Sequence, residues 1–462
     1  MQEATKHNDQ GLPPAERWRA MTFVSIAVSM STFDIAIVNT ALPHIATELH
    51  TDAATSIWVV SAYQLAMVAT LLPFAALGEI VGHKRVYLSG LVLFCIASAM
   101  CGFAGSLPVL VAARALQGVG AASVVSVNLA LVRFIFPPHR LGAAMGINAL
   151  VVGSAFTAGP SLASAILSIA PWPYLFFVNL PLGLIALVGG LRYLPRTPRS
   201  SHLFDPIAAV LIGASFVLIV LGIDSAGQDG GLPEMAGEWA GAALCLTVQV
   251  RRQRGHPAPM LALDLYRNKV IALSSLTGIC AFATQGSGFV ALPFLFTVGL
   301  GMSQIDAGFM LTPWPAVVAL LAPVSGRLAD RFSTGLVGGI GLAVMSLGML
   351  LLATMPEHPS NVEIIWRMIL CGGGFGLFQA PNLKAMMSAA PPRRAGGASG
   401  IAAVTRNLGQ ASGAAMVAVC FRLAPQNGAR TALFAGCAFA ACGAAASLLR
   451  MAANPPAPGG AD

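Results

Sequence analysis

The sequence predicts an all-α integral membrane protein with fourteen transmembrane helices, built as two six-helix bundles with two extra helices between them. Hydrophobic residues make up 56% of the 462 residues and charged residues only 10%, against about 25% charged in an average soluble domain. The apolar residues form stretches long enough to cross a bilayer, which takes about 20 residues. The basic residues between these stretches fall on alternate loops, as expected of a chain that crosses a membrane repeatedly.

The apolar stretches define the fourteen spans in chain order. The eighth span is the shortest, and the charges of the neighbouring loops support it. Residues 192–202 and 251–269 are basic, whereas residues 224–238 are acidic, so two crossings are needed between the basic loops. The predicted spans are 20–42, 56–77, 86–105, 108–132, 142–168, 174–192, 206–223, 236–250, 270–299, 306–325, 335–355, 362–388, 397–421 and 430–450.

Basic residues predict the orientation of these spans. Most of the 26 Lys and Arg residues fall in loops on the same side as the N-terminus, among them Lys84, Arg85 and Arg450. Because positive loops stay in the cytoplasm, we expect a multi-pass protein of the cell (inner) membrane with both termini cytoplasmic. The net charge of +8 then indicates the lipid bilayer as a partner, and no nucleic acid.

The two halves of the chain resemble each other. Residues 72–85 align with 321–334, which places Glu79 opposite Asp330. Many secondary transporters consist of such repeats, with the substrate site between them. The predicted domains are a disordered N-terminus at 1–18, a bundle at 19–199, the extra pair at 200–255, a second bundle at 256–452 and a disordered tail at 453–462.

Asp34 is the outstanding polar residue, because it lies in the middle of the first span. A charge at the centre of a membrane helix costs roughly 2.5–3.5 kcal/mol on insertion scales, and such residues usually serve a function. Arg114 in the fourth span lies at a similar depth, so the two side chains can pair. We expect Asp34 to carry a proton, with Arg114 tuning it. The alternative is a permanent ion pair that only joins two helices.

Six motifs, in the same order, resemble those of the fourteen-span drug:proton antiporters, the EmrB/QacA-like branch of the major facilitator superfamily. The resemblance covers nearly the whole membrane domain and implies the major facilitator fold. It also implies alternating access driven by the proton gradient, with no cofactor. The motifs are FDIAIVNTALP (33–43), WVVSAYQLA (58–66), LGEIVGHKR (77–85), RALQGVGAA (114–122), GSAFTAGP (153–160) and FFVNLPLG (176–183).

The resemblance also implies two sets of residues that control opening. A gating latch in the loops comprises Gly78, Glu79, Gly82, Lys84, Arg85, Gly326, Asp330 and Arg331. An antiporter helix motif comprises Gly153, Gly159 and Pro160, as a hinge and leak seal. Ile80 and His83 depart from the usual arginines of the latch. The simpler interpretations are solvated loop charges and ordinary kinked packing.

Polar and aromatic residues within the spans are candidates for lining a substrate cavity, although each one alone more often forms a helix–helix contact. Arg406 has no acidic partner visible in the sequence, so it either binds an anionic or carbonyl-bearing group or caps interrupted helices. Arg367 has Glu363 four residues earlier, which predicts a local ion pair. The cavity candidates are Tyr63, Gln64, Gln117, Asn148, Gln285, Trp314, Gln379, Asn382 and Arg406.

These observations favour proton-coupled export of amphipathic small molecules, with the substrate and protons as partners and a monomer as the working unit. We find no catalytic residues, no metal-ligand spacing and no ATP-binding motif. The tenth and thirteenth spans lack a deep acid, which argues against export of dications. One alternative is an exporter or symporter of a single neutral or anionic metabolite. A more remote one is an integral membrane enzyme that uses Asp34 and Arg114 on a lipid-linked substrate.

Overall fold

Within the residues that the computed structural model describes, every regular element is a helix. These residues are 11–137, 140–200, 203–228, 231–253, 260, 262–391 and 394–453. The predicted disordered segments lie largely outside them, at 1–10 and 454–462. Where the segments are described they contain helix: the first helix begins at Pro14 and the last one ends at Ala453. Proline suits the first turn of a helix because its fixed φ angle is helical and its missing N–H needs no partner there.

Seventeen α-helices follow one another through the described residues, with a 3-10 turn at Leu263–Arg267 and a π turn at Leu295–Gly299. They are α1 (Pro14–Glu48), α2 (Ala53–Ser56), α3 (Trp58–Val81), α4 (His83–Gly102), α5 (Leu107–Ile135), α6 (Leu141–Leu167), α7 (Tyr174–Phe177), α8 (Asn179–Tyr193), α9 (Pro206–Ser225), α10 (Leu232–Arg252), α11 (Lys269–Phe294), α12 (Gln304–Leu311), α13 (Pro313–Arg331), α14 (Thr334–Ala353), α15 (Asn361–Ala389), α16 (Ala395–Leu423) and α17 (Gly428–Ala453).

Eleven helical segments of the described chain are long and apolar enough to cross a membrane. Three of them join two helices: α2 with α3, α7 with α8, and α12 with α13. The helices α10, α15 and α16 have the length of a span but are not among the eleven. Length and apolarity therefore support a multi-pass membrane protein with about eleven candidate spans among the described residues, and do not confirm the predicted count of fourteen.

Contacts between turns identify one end of the molecule. Lys84, at the start of α4, donates hydrogen bonds to the carbonyl oxygens of Leu191, in the last turn of α8, and of Leu194, just after it. Leu12, just before α1, bonds the carbonyl of Ile135 at the end of α5. We call this end, where α1 begins, the basic end, and the other the opposite end.

The amino-terminal half (α1–α8) and the carboxy-terminal half (α11–α17) share a core at the opposite end. One cluster of buried apolar residues includes Leu42 and Ile57 from the first half together with Phe294 and Leu311 from the second. The cluster nearer the basic end of the first half contains residues of that half alone. The two halves are therefore packed together at the opposite end.

Polar contacts reinforce this closed end, and we call them the opposite-end seam: Thr40, Ser161, Ser164, Gln304 and Thr312. Gln304 Nε2 donates a 2.6 Å bond to the carbonyl of Thr40, and Ser164 Oγ donates one of 3.1 Å to the carbonyl of Gln304. The hydroxyls of Ser161 and Thr312 lie 2.7 Å apart. The seam joins α1 and α6 to α12 and its neighbour α13.

The same helices are loosely surrounded toward the basic end. A Cβ added at Gly142 or Gly146, near the start of α6, would meet nothing within 4 Å, and neither would one at Gly326, near the end of α13. A Cβ at Gly159, farther along α6, would stand 2.4 Å from Ala36 Cβ. The space between the halves thus opens toward the basic end and is sealed at the other.

The helices α9 and α10 lie beside both halves. Gly213 of α9 packs closely on α3, where an added Cβ would be 3.1 Å from the Ala69 carbonyl oxygen. At the opposite end, the Arg422 guanidinium of α16 donates to both carboxylate oxygens of Asp224 and to its carbonyl oxygen, at 2.9–3.2 Å. Helix α9, and with it α10, is thereby bonded to the carboxy-terminal half.

Candidate functional site

Asp34 and Arg114 form an ion pair inside the amino-terminal half. Arg114 Nη1 lies 2.5 Å from Asp34 Oδ2, and the two side chains are 1% and 0% exposed. The pair joins α1 to α5 and is the contact that the sequence predicted from their similar depth. Because both charges are removed from solvent, each must be satisfied by the surrounding protein.

Two amides complete the shell of the Asp34 carboxylate. Gln117 Nε2 donates to Asp34 Oδ1 at 2.8 Å, and Asn179 Nδ2 donates to the same oxygen at 2.9 Å. Ser98 Oγ accepts a 2.7 Å bond from Gln117 Nε2. Helices α1, α4, α5 and α8 thus converge on one carboxylate, and we call Ser98, Asp34, Arg114, Gln117 and Asn179 the carboxylate cluster.

Arg114 has partners besides Asp34. Its Nε donates a 3.1 Å bond to the carbonyl of Val59, and its Nη1 also donates to Gln117 Oε1 at 2.6 Å. Its Cζ lies 4.3 Å from the centre of the Tyr63 ring, a cation–π distance. The guanidinium would therefore keep two neutral acceptors and one aromatic face if the Asp34 carboxylate lost its charge.

The predicted cavity residues occupy several different environments. Tyr63 and Gln117 are fully buried beside Arg114, and Gln64 is 4% exposed with no partner for its Oε1 in the described structure. Asn148 accepts a 3.0 Å bond from Asn128 within the amino-terminal half. These contacts join neighbouring helices.

In the carboxy-terminal half, Gln285 Oε1 accepts a 3.2 Å bond from Gln410 Nε2, which joins α11 to α16. Trp314 is fully buried, with its ring centre 5.2 Å from that of Phe289. Asn382 bonds the Ser274 carbonyl at 3.1 Å.

Gln379 and Arg406 are less buried cavity candidates, and neither forms a hydrogen bond or ion pair with a described residue. Gln379 is exposed on α15. Arg406 is half-buried on α16, one turn before Gln410, and no described residue forms a hydrogen bond or ion pair with it. A half-buried guanidinium without a carboxylate is free to bind a group that enters from outside the chain.

The latch residues form different contacts in the two halves. In the second half, Asp330 Oδ1 lies 2.5 Å from Lys384 Nζ, a partner that the sequence did not indicate. In the first half the Glu79 carboxylate is exposed, as is Arg85, and no described cation pairs with Glu79. Gly82 has φ of +102°, which allows the sharp turn between α3 and α4.

The remaining latch glycines and Arg331 differ in how closely they are packed. A Cβ at Gly78 would stand 2.7 Å from Val127 Cγ1, whereas one at Gly326 would meet nothing within 4 Å. Arg331 is exposed at the end of α13. Gly78 therefore needs to be small, whereas Gly326 does not in this conformation.

The antiporter helix motif lies where α6 touches its neighbours at the opposite end. Gly159 is in close contact with Ala36 of α1, two residues from Asp34, and the Pro160 carbonyl lies against Gly308 of α12. Gly153 is less crowded, because a Cβ there would meet only Ala319 Cβ, at 3.9 Å. The segment 159–160 therefore lies between the carboxylate cluster and the opposite-end seam.

Sequence reasoning missed several residues of these sites. Asn179 lies within the FFVNLPLG stretch, but its neutral amide gave no reason to place it on Asp34. Ser98 is an ordinary polar residue of α4, with no distinguishing pattern. Lys384 lies 54 positions from its partner Asp330, and Arg422 lies 198 positions from Asp224. Only the folded helices bring these residues together.

Comparison with known proteins identifies relatives over almost the whole chain. The profile described as Major Facilitator Superfamily matches residues 24–414. The uncharacterized transporter YebQ of Escherichia coli (strain K12) is 43% identical over 443 residues, covering 96% of this chain and 97% of its own. The tetracenomycin C resistance and export protein of Streptomyces glaucescens is 32% identical over 409 residues, covering 87% of this chain and 75% of its own.

The riboflavin transporter RibZ of Clostridioides difficile (strain 630) is 28% identical over 402 residues, covering 87% of both chains. Among solved structures, the fold is similar to that of a bacterial homolog of the human lysosomal transporter Spinster, solved in an inward-facing, unoccupied conformation. The TM-score is 0.70 at 13% identity, over 96% of this chain and 98% of the other. That likeness concerns the fold alone.

Proposed function

The chain belongs to the major facilitator superfamily and is a membrane transporter rather than an enzyme; from this premise we propose that it exports amphipathic small molecules in exchange for protons. The export of tetracenomycin C by one relative supports the direction and the substrate class. The carboxylate cluster supports the proton as the coupling ion. The proton gradient supplies the energy, so no cofactor is needed, and a monomer is the working unit.

We further propose that the chain belongs to the fourteen-span EmrB/QacA-like branch. In this proposal α10, α15 and α16 also cross the inner membrane, and α9 and α10 are the extra pair between two six-helix bundles. The support is that α15 and α16 each contain 29 residues and α10 contains 21, which suffices for a crossing at 1.5 Å per residue.

The basic end faces the cytoplasm in this proposal, because positive loops stay on that side. Both termini are then cytoplasmic, and the structure represents an inward-open state with the opposite-end seam closed. Transport requires the seam to part and the halves to close at the basic end, as in alternating access around a site between two repeats. The latch residue Asp330 and its ion-pair partner Lys384 lie at the end that closes.

One observation carries the proposed proton coupling: the carboxylate cluster can accommodate both protonation states of Asp34. When Asp34 is ionised, Arg114, Gln117 and Asn179 all donate to it. When it is protonated, the two amides can still bond its carbonyl oxygen, and Arg114 retains the Val59 carbonyl and Gln117 Oε1. In both states Arg114 keeps hydrogen-bond acceptors, and in the ionised state the Asp34 carboxylate also neutralises its charge.

The conservative variant Asp34→Asn tests this proposal. In inverted vesicles with an imposed pH gradient, wild-type protein should release protons when ethidium is added as an amphipathic probe. Asp34→Asn should reach the membrane in equal amount but give no proton release, because it cannot change charge. Asp205→Asn is the matched control, since Asp205 caps α9 far from the cluster, and it should behave as wild type. Proton release by Asp34→Asn would contradict the proposal.

Arg406 favours a second candidate function, the transport of one metabolite that carries an anionic group. Its guanidinium has no partner among the described residues, and it lies one helical turn from the Gln285–Gln410 contact between α11 and α16. A relative that transports riboflavin supports a single metabolite as substrate. An anion would supply the missing partner of Arg406.

Substrate charge separates the two candidates. We would compare the transport of cationic ethidium and an anionic fluorescent dye by wild type, Arg406→Lys and Arg406→Gln. The metabolite candidate requires transport of the anion, its loss in Arg406→Gln and partial recovery in Arg406→Lys. Unchanged anion transport in Arg406→Gln would dismiss Arg406 as an anion-binding residue, and ethidium transport in all three variants would favour the exporter of amphipathic compounds.

A further inference from the structure

Arg450, in the last turn of α17, is a buried cation whose partners are all neutral. It is only 2% exposed. Its Nη1 donates to Ser274 Oγ at 2.6 Å and to Asn382 Oδ1 at 2.7 Å. Its Nη2 donates to the carbonyl of Thr334 at 3.0 Å and to Ser447 Oγ at 3.3 Å. The side chain thus connects α17 with α11, α14 and α15 at the basic end of the carboxy-terminal half.

No described carboxylate neutralises the charge of Arg450. The two acids at this end with an ion pair are taken by other cations, since Asp264 bonds Arg394 and Asp330 bonds Lys384. The Arg450 Nε has no acceptor within the described structure. A buried charge of this kind is expensive unless an opposite charge reaches it, so the surroundings of Arg450 call for an anion.

A polar pocket of about 270 Å³ lies beside this guanidinium, and none of its lining residues is acidic. Hydroxyl and amide side chains contribute much of its wall. The volume exceeds that of a phosphate group and leaves room for part of a larger molecule. The lining residues are Asn268, Val270, Ser333, Thr334, Gly335, Ala385, Ser388, Ala389, Arg450 and Met451.

The N-terminus of α14, a helix of 20 residues, also lines the pocket. The first N–H groups of a helix have no partner within it, and together with the helix dipole they attract anions. Here Thr334 and Gly335 supply such groups, and the side chain of the preceding Ser333 makes no capping bond to them. Two independent features, a buried unneutralised cation and an uncapped helix start, therefore meet in one pocket.

We propose that this pocket binds the phosphate group of an anionic ligand, attracted by the charge of Arg450 and held by the backbone N–H groups of Thr334 and Gly335 and the hydroxyl of Ser333. The same chemistry is offered by a phospholipid headgroup and by free phosphate. Occupancy would supply the negative charge that Arg450 lacks and thereby stabilise the junction of α11, α14, α15 and α17. The site is separate from the carboxylate cluster, so it stands or falls independently of the proposed transport function.

Thermal unfolding of the purified full chain in a neutral detergent tests the proposal. We would add inorganic phosphate, short-chain phosphatidylglycerol or, at matched ionic strength, sodium chloride. A ligand at 100 times its Kd stabilises by about 2.7 kcal/mol, so we expect the unfolding temperature to rise by at least about 2 °C. A rise with phosphate indicates the free anion, and a rise with the lipid alone indicates a headgroup. No rise beyond that in chloride would overturn the proposal.

The variant Ser333→Asp identifies the site without removing Arg450, which holds four helices together. Aspartate is a favourable N-cap and brings a carboxylate to the pocket, so the variant should fold and lose the ligand-induced rise. Ser106→Asp is the matched control, because Ser106 also precedes a helix, α5, without a capping bond and lies at the opposite end. A rise that persists in full in Ser333→Asp would overturn the assignment of the pocket.

Discussion

Gly308 of α12 lies directly against Ser164 of α6, so that a Cβ added at Gly308 would stand 1.8 Å from Ser164 Oγ and 2.7 Å from the Pro160 carbonyl oxygen. The serine hydroxyl can rotate away, but the backbone carbonyl cannot. This contact belongs to the end at which the two halves are closed, and it allows no side chain larger than hydrogen.

The variant Gly308→Val should therefore favour the conformation in which the opposite end is open. The measurement is the distance between spin labels at Ile169 and Val298, two exposed positions on different halves near that end, in a cysteine-free background. We expect the distance distribution to shift to longer values. Gly146→Val is the control, because a Cβ at Gly146 meets nothing within 4 Å. Equal distributions in both variants would show that the seam does not depend on Gly308.

Removing Arg114 should destabilise the protein far more than neutralising the whole ion pair. Arg114→Ala leaves the buried Asp34 carboxylate without its cation, which costs about 3–5 kcal/mol. The double variant Asp34→Asn/Arg114→Gln retains polar groups but no charge, and we expect it to unfold at a higher temperature than Arg114→Ala. Thermal unfolding in detergent measures both. A double variant less stable than Arg114→Ala would mean that the charges themselves hold the helices together.

Asn179 should contribute more to the stability of the fold than an ordinary buried amide, because it donates to a charged carboxylate. Asn179→Ala should cost about 1.5–3 kcal/mol and reduce proton-coupled transport. Asn128→Ala is the matched control, since Asn128 bonds the neutral Asn148, and we expect about 0.5–1.5 kcal/mol there. Unfolding temperatures and proton release from vesicles provide the comparison. If both variants lost the same stability and Asn179→Ala kept its transport, Asn179 would have no special role in the function of the carboxylate cluster.

The pair Asp205 and Arg252 should make a small contribution to stability that depends on pH. The hydrogen bond from Arg252 holds the pKa of the Asp205 carboxyl below its ordinary value of 3.8. Because the folded pKa is the lower one, the contribution is complete above pH ~3.8 and disappears as the pH falls through the folded value. The unfolding temperature of wild type should exceed that of Asp205→Asn at neutral pH, and the difference should shrink as the pH falls below 3.8. A constant difference would contradict the assignment.

The sequence predicted much of the helical fold because apolar stretches of spanning length carry that information locally. It also predicted contacts within one helix, such as the ion pair between Glu363 and Arg367, found at 3.9 Å. The pair of Asp34 and Arg114 was predictable because two charges at one depth of an apolar region need each other. The number of spans was harder to predict, since α10, α15 and α16 are long enough for a span but less apolar than the eleven.

Contacts among neutral residues could not be predicted in this way. Asn179 reaches Asp34 across 145 positions, and nothing in either residue's neighbourhood specifies the meeting. Arg450 was assigned to a cytoplasmic loop because apolarity ends near it, yet α17 continues to Ala453 and buries the side chain among three other helices. Tertiary packing, rather than local pattern, determines such positions.

The bond between Arg422 and Asp224 determines which half carries the extra helices when the protein changes conformation. Because α9 is held to α16 by this partly buried ion pair, α9 and α10 should travel with the carboxy-terminal half as one rigid body. The displacement must then be taken up on the other flank of α9, where Gly213 rests on the backbone of Ala69. Because Gly213 has no side chain to obstruct movement, we expect α3 to slide past α9 at this contact.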